Sequence, residues 1–169
     1  MESNFERALD HLFEVESGFV MNPKDPGGMT NLGVTRTVWE MYTKRKVDEA
    51  EMRRLTRADV TPLYRTHYWD ACRCDALPGG VDYAVFDFAV NSGNRRAART
   101  LQEVVGVNAD GLIGPATLGA CERQPAREII TDLMNARLNF MKNLNTWSDF
   151  GRGWTNRINK VHAWALDMV

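Results

Sequence analysis

The run from Val81 to Gly93, Val-Asp-Tyr-Ala-Val-Phe-Asp-Phe-Ala-Val-Asn-Ser-Gly, constrains this chain more than any other stretch. It is apolar on nearly every side and longer than an ordinary strand. Asp87 and Asn91 fall four residues apart, on one helical face. A helix that is apolar all round normally lies at the centre of a fold. The spacing therefore predicts a core helix near 81–92. Leu77-Pro78-Gly79-Gly80 breaks the chain before it, and Gly93 ends it. The two polar residues on this helix must find partners, either bracing the core or lining the floor of a cleft.

Helical patterns dominate elsewhere. Ser3-Asn4-Phe5-Glu6 fits a capping box, and Phe5, Ala8, Leu9, Leu12 and Phe13 follow at helical spacing. Thr37 and Glu40 suggest a second capping box, and Thr56 a cap for the helix through Leu63, Tyr64, Tyr68 and Trp69, with Pro62 near its start or kinking it. Beyond Asn94, Ala97, Ala98, Leu101, Val104 and Val105 line one face, and Gly106 closes the pattern. Pro115 and Pro125 each open a further helix. Ile129, Ile130, Leu133, Met134, Leu138 and Met141 form the apolar side of the longer one. A break around 148–153 should precede a last helix that turns Trp154, Ile158, Val161 and Ala165 inward. The expectation is a mostly α chain, a helical bundle around the 81–92 helix, with an irregular loop or small hairpin near 19–35.

Charge narrows the partners. With 21 basic and 22 acidic residues the formal net charge is -1, which gives no global argument for nucleic acid or an anionic membrane. The arginines Arg95, Arg96 and Arg99 make a local basic patch suited to a solvated face or to approach toward an anionic wall. Three cysteines imply no complete disulfide framework. Cys72 and Cys74 lack a second pair at zinc spacing, so ordinary thiols are expected, with no metal and no cofactor. No apolar run is long enough to span a bilayer, and the polar N-terminus reads as helix rather than signal peptide. Synthesis in a cytoplasm without stable membrane insertion is expected, and an external substrate would require release by other means.

Chemistry concentrates between Glu14 and Thr35. Glu16 lies four residues after Leu12 and three after Phe13, so it continues the apolar stripe of the first helix, whereas Glu14 falls with Arg7, Asp10 and His11 on the wet side. Gly18 suits the end of that helix. Burial and the negative end of the helix dipole would both favour the protonated acid at Glu16, as protonation of a leaving oxygen requires. Two prolines and two glycines follow between Asn22 and Gly28, excluding regular helix and permitting close ligand approach. This loop carries Asp25 and leads to Thr30. An acid, a second carboxylate and a hydroxyl able to hold water are the materials of a glycosidase. Each also has a plainer reading: Glu16 at a frayed helix end, Asp25 as a turn former, Thr30 as a brace for the loop. Asn31 is a candidate sugar contact or a turn residue. Tyr64, Tyr68 and Trp69, at helical spacing, are core side chains or a stacking platform for a hexose, and Asn91 completes the candidate substrate-binding set.

The run from Glu16 to Thr35 resembles glycoside hydrolase family 108, the phage endolysin and secretion-activator group of N-acetylmuramidases. Glu16-Ser17-Gly18-Phe19 stands for that family's Glu-Gly-Gly-Tyr, and Asp25-Pro26-Gly27-Gly28-Met29-Thr30-Asn31-Leu32-Gly33-Val34-Thr35 follows its second block. The likeness continues through Tyr64-Arg65-Thr66-His67-Tyr68-Trp69 and through Phe86 to Gly93. From Leu101-Gln102 through Asp110-Gly111-Leu112-Ile113-Gly114-Pro115 to Phe150-Gly151-Arg152-Gly153-Trp154, the chain is similar to a predicted peptidoglycan-binding domain. The resemblance implies a lysozyme-like fold of the α+β superfamily, with a muramidase region at 1–93 and a peptidoglycan-binding region at 94–169, packed as one unit. It also implies cleavage of the β-1,4 bond between N-acetylmuramic acid and N-acetylglucosamine, with Glu16 as general acid. Asp25 and Thr30 fit more loosely onto the Glu-Asp-Thr set of phage-type lysozymes, which has one more residue before the threonine. Ser17 and Phe19 replace the family's glycine and tyrosine, so the phenol hydroxyl expected beside the acid is missing from that position. Met29 stands where many relatives carry a carboxylate.

The expected partner is the peptidoglycan glycan strand, met by a monomer in the periplasm or cell wall, and the expected role is an antimicrobial bacteriophage endolysin. A lytic transglycosylase and a non-catalytic peptidoglycan-binding protein are the rival readings.

Overall fold

The computed structural model of the chain describes residues 4–16, 18–21 and 28–169. Nine α-helices are described: α1 (Phe5–Val15), α2 (Arg36–Thr43), α3 (Glu49–Arg54), α4 (Arg57–Tyr64), α5 (Val81–Ser92), α6 (Asn94–Val105), α7 (Pro115–Glu122), α8 (Ala126–Lys142) and α9 (Trp147–Leu166). Three short strands, β1 (Phe19–Met21), β2 (Met29–Asn31) and β3 (Val34–Thr35), lie between α1 and α2. The fold is thus mostly helical with one small sheet, as the patterning predicts.

The chain divides into two compact units. One is Leu9–His67; the other is Tyr68–Val169 together with the first residues through Ala8. α5 packs with α6, α8 and α9 and belongs to the second unit.

In the Leu9–His67 unit, the strands form an antiparallel sheet in the order β1-β2-β3. Its register sets Phe19 opposite Asn31, Val20 opposite Thr30, and Thr30 opposite Thr35. Leu32 and Gly33 join β2 to β3 with φ of 50° and 77°. Two successive positive φ values match the right-handed twist of a tight hairpin, and glycine takes the second at no steric cost. The helix after this hairpin starts two residues earlier than the Thr37 pattern suggests. Thr35 is its N-cap, its hydroxyl accepting the Val38 N–H at 3.2 Å. α3 is capped by Asp48 and α4 by a capping box of Thr56 and Asp59. The cap expected for α1 at Ser3 lies outside the described residues.

After α4 the backbone widens into a π-helical turn, Arg65–Asp70, in place of a continued α-helix. Such turns are rare and often functional.

In the larger unit, α5 occupies the predicted central position, with every residue from Val81 to Ala89 buried. Phe5, Trp69 and Phe86 meet edge to face with centroids 5.3–6.1 Å apart. Asp87 is fully buried and accepts from two arginines, Arg137 on α8 at 2.7 Å and Arg157 on α9 at 3.0 Å. Arg137 also reaches Asn91 at 3.3 Å. Asp87 and Asn91 therefore brace the core. Arg137, not Leu138, is the buried member of its pair, since Asp87 compensates its charge.

The break expected around 148–153 is absent, and α9 runs through it. Gly151 is buried there because the Trp147 ring lies on it: a Cβ at Gly151 would sit 2.6 Å from the indole. Ring packing offsets the low helix propensity of glycine. Cys72, Cys74 and Cys121 are buried free thiols. No described helix is long and apolar enough to cross a membrane.

Candidate active site

Glu16 follows the last residue of α1, and its N–H still donates to the Leu12 carbonyl at 2.8 Å. Leu9 and Leu12 are fully buried on the stripe below it, but Glu16 itself is half-buried. The expectation of a buried acid is corrected on this point. α1 stops at Val15 and Gly18 takes φ of +81°, so the stripe ends at Glu16.

What Glu16 leans on is the β2–β3 turn. A Cβ at Gly33 would stand 3.2 Å from Glu16 Cβ, 3.3 Å from Glu16 Cγ and 2.6 Å from the Tyr64 hydroxyl. The Tyr64 hydroxyl donates to the Leu32 carbonyl at 2.8 Å. Its ring is buried against Phe13, centroids 5.8 Å apart and nearly perpendicular. Three elements thus converge on one bare glycine: the end of α1, the hairpin and the end of α4. Glycine is needed twice over, for its φ and for the absence of a side chain.

Phe19, which stands where the family has a tyrosine, carries the Arg53 guanidinium 4.0 Å above its ring. The Tyr64 hydroxyl reaches the turn beside Glu16 from another element. Sequence spacing gave Tyr64 only as a core or stacking aromatic. The signal was Asn31-Leu32-Gly33, a hairpin turn whose glycine leaves room for an approaching group.

Thr30 lies on β2 beside Val20 and Thr35, half-buried, on the sheet face opposite Met29 and Asn31. Met29 is buried, so the position that carries a carboxylate in many relatives here fills the core. Asn31 is 5% exposed, and its amide donates to the Met52 carbonyl at 2.8 Å, tying the sheet to α3. That makes it a strut rather than an open sugar contact. Asp25 lies outside the described residues.

Tyr68, Trp69 and Asn91 belong to the other unit. Trp69 is fully buried and its indole N–H donates to Asp75 at 2.8 Å, so its ring has no face for stacking on a sugar. Tyr68 is half-buried, and burial pushes its phenol above the usual range.

The smaller unit also has an open concavity of 440 Å³ lined by Thr37, Glu40, Met41, Lys44, Arg45 and Lys46. It contains none of the residues at the Gly33 turn. Its carboxylate, Glu40, is held below the usual range by the Val47 N–H and by Lys46, whose ammonium lies 3.0 Å away. A carboxylate so held is a poor proton donor.

Residues 9–93 match the family model described as glycosyl hydrolase 108. The chain belongs to that family. Residues 96–159 match a second model, described as a predicted peptidoglycan domain. A solved structure of Brucella abortus SagA is similar at 46% identity, covering 98% of this chain and 95% of that one, with a TM-score of 0.91. No curated protein matches. The family 108 chain is accordingly a glycoside hydrolase of the N-acetylmuramidase kind, with a fold of the lysozyme-like type, and its substrate is peptidoglycan.

Proposed function

We propose that the enzyme cleaves the β-1,4 bond between N-acetylmuramic acid and N-acetylglucosamine, with Glu16 as general acid. The observation that supports this reading is the seat of the Glu16 side-chain stem against Gly33, where the missing side chain lets Glu16 and the Tyr64 hydroxyl approach one turn. The Glu16 proton passes to the glycosidic oxygen, and that oxygen leaves with the bonding electron pair. Water then adds to the anomeric carbon and gives up a proton. Asp25 takes that proton, or stabilises positive charge on the sugar, and Thr30 holds the water. Tyr64 is a positioning residue in this scheme, fixing the turn against which the acid rests.

The role is that of an endolysin, a monomer acting on the wall of a bacterial host and thereby lysing the cell. Digestion of purified sacculi followed by mass spectrometry of the fragments tests the chemistry. Reducing muramic ends support hydrolysis. Anhydro-muramic ends would make the enzyme a lytic transglycosylase, and no fragments would leave only binding. Glu16→Gln should abolish cleavage with the thermal transition retained; full activity in that variant would end the proposal.

A further inference from the structure

The first half of α9 carries a groove that the chemistry at Glu16 does not use. It is an open, shallow concavity of 440 Å³ lined by Trp147, Ser148, Gly151, Arg152, Thr155 and Asn156. These positions recur at helical spacing and form one face. Gly151 has no side chain, which lets the Trp147 ring lie on it, and Thr155 turns its hydroxyl to the Gly151 carbonyl at 2.7 Å. One wall is aromatic. The Trp147 ring lies on Gly151 and against Trp154, centroids 6.2 Å apart, and Phe150 extends this ridge at 5.7 Å from Trp154 while 55% exposed. The other wall is polar: Ser148, Arg152 and Asn156 stand four residues apart along the helix and are all exposed. No hydrogen bond or ion pair engages these three side chains among the described residues.

We infer that this groove binds an uncleaved stretch of the peptidoglycan glycan strand. A pyranose offers an apolar face and a rim of hydroxyl and acetamido groups, which an aromatic wall facing an amide, a hydroxyl and a guanidinium can satisfy together. The wall polymer is also anionic through its stem-peptide carboxylates, and Arg152 supplies an unengaged planar donor for one of them. Two neutral polar side chains and one cation suit a sugar chain better than a nucleic acid or an anionic membrane, which call for several cations. The groove lies within residues 96–159, the part that matches the predicted peptidoglycan domain. The inference rests on peptidoglycan being the substrate, and adds where on this chain the polymer is held.

The test uses the full chain in a Glu16→Gln background, so that the wall is not consumed. Sedimentation with purified sacculi should show about tenfold weaker binding for Trp147→Ala and for Arg152→Ala, as expected for interface anchors. Because Trp147 packs on Gly151, the exposed Arg152→Ala and Asn156→Ala variants serve where Trp147→Ala fails to fold. In amide spectra of the same protein, a soluble muropeptide oligosaccharide should shift resonances of residues 147–156. Unaltered sacculus binding in the α9 variants would overturn the groove while leaving the muramidase reading intact. Loss of self-association rather than of wall binding would do the same, assigning the face to a second copy of the chain. Absence of both cleavage and wall binding in the unmodified protein would sink both readings.

Discussion

The Tyr64 hydroxyl donates to the Leu32 carbonyl at 2.8 Å, joining the end of α4 to the turn on which Glu16 rests. Removing that hydroxyl strands a partly buried carbonyl and frees the turn. Tyr64→Phe should cost about 1 kcal/mol of stability. It should lower activity on sacculi by roughly tenfold or more, since small displacements of a catalytic group cost that much. Thermal unfolding and initial rates, measured side by side, separate the two effects. Equal rates with a lowered transition would confine Tyr64 to the fold.

Gly33 is the stricter test of the same arrangement. Alanine there must hold φ near +77° and place its Cβ 2.6 Å from the Tyr64 hydroxyl. The strain alone is about 1–3 kcal/mol, and relieving the clash moves either Tyr64 or Glu16. Gly33→Ala should therefore lose activity out of proportion to its stability. Gly106→Ala is the control: its φ is +76°, but nothing lies within 4 Å of the added atom. That variant should lose stability and keep its rate per folded molecule.

Much of this arrangement was legible from residue order. The all-round apolar run from Val81 to Ser92 could only be central, and it is α5. Gly106 and Pro115 marked helix boundaries because one adopts positive φ and the other cannot donate its N–H. Glu16 was singled out by its place after Leu12 and Phe13, although its half-exposure was not foreseen, since stripe position says nothing of where the helix stops. Long-range partners were invisible. No local pattern names Arg137 as the counter-ion of Asp87, fifty residues away, or Leu32 as the acceptor for Tyr64. Gly151 read as a break because propensity counts only the backbone, whereas the Trp147 ring supplies the compensation through packing. Trp69 and Asn31 were offered as sugar contacts because type and spacing cannot tell an inward side chain from an outward one. Hydrogen bonds to Asp75 and to the Met52 carbonyl settle both inward.

The thiols should be inert in the folded protein. Burial pushes Cys72 up to about 12, and burial together with Glu122 pushes Cys121 up to about 11. Cys74 is fully buried. The thiolate is the reactive form, so a disulfide-exchange reagent at pH 8 should titrate none of the three until denaturant is added. Rapid labelling of any one in the native state would show that its surroundings open.

Gln102 on α6 holds the Asp110–Gly114 segment from inside. Its amide nitrogen lies 2.9 Å from Asp110, 3.0 Å from the Leu112 carbonyl and 3.1 Å from the Thr117 hydroxyl, while its carbonyl accepts the Gly111 N–H at 2.8 Å. Gln102→Leu keeps the size of the side chain and strands these groups, with a cost of about 1–3 kcal/mol for each one left buried. Amide exchange should accelerate first at Gly111, whose N–H donates to this side chain. Unchanged protection at Gly111 would mean the segment holds itself.

Acid stability should hinge on Asp87. Burial works to raise its carboxyl, but Arg157 and Arg137 outweigh burial and hold it below the usual carboxylate range. A carboxylate depressed in the folded state contributes stability that is fully present above the unfolded value, about 4. That stability is lost as pH falls through the lower folded value. Asp87→Asn leaves two guanidinium groups without their counter-charge and should cost about 3–5 kcal/mol at neutral pH. The difference between wild type and variant should shrink steadily as unfolding is repeated from pH 6 down to pH 2, because the wild type surrenders the same charge to protonation. Asp82 gives the opposite sign: burial raises it despite bonds from Asn4 and the Tyr83 N–H. Its contribution is therefore present below the unfolded value and lost as pH rises through the folded one. Opposite slopes for the two asparagine variants across the acid limb would locate acid denaturation in the loss of the Asp87 charge, and parallel slopes would exclude it.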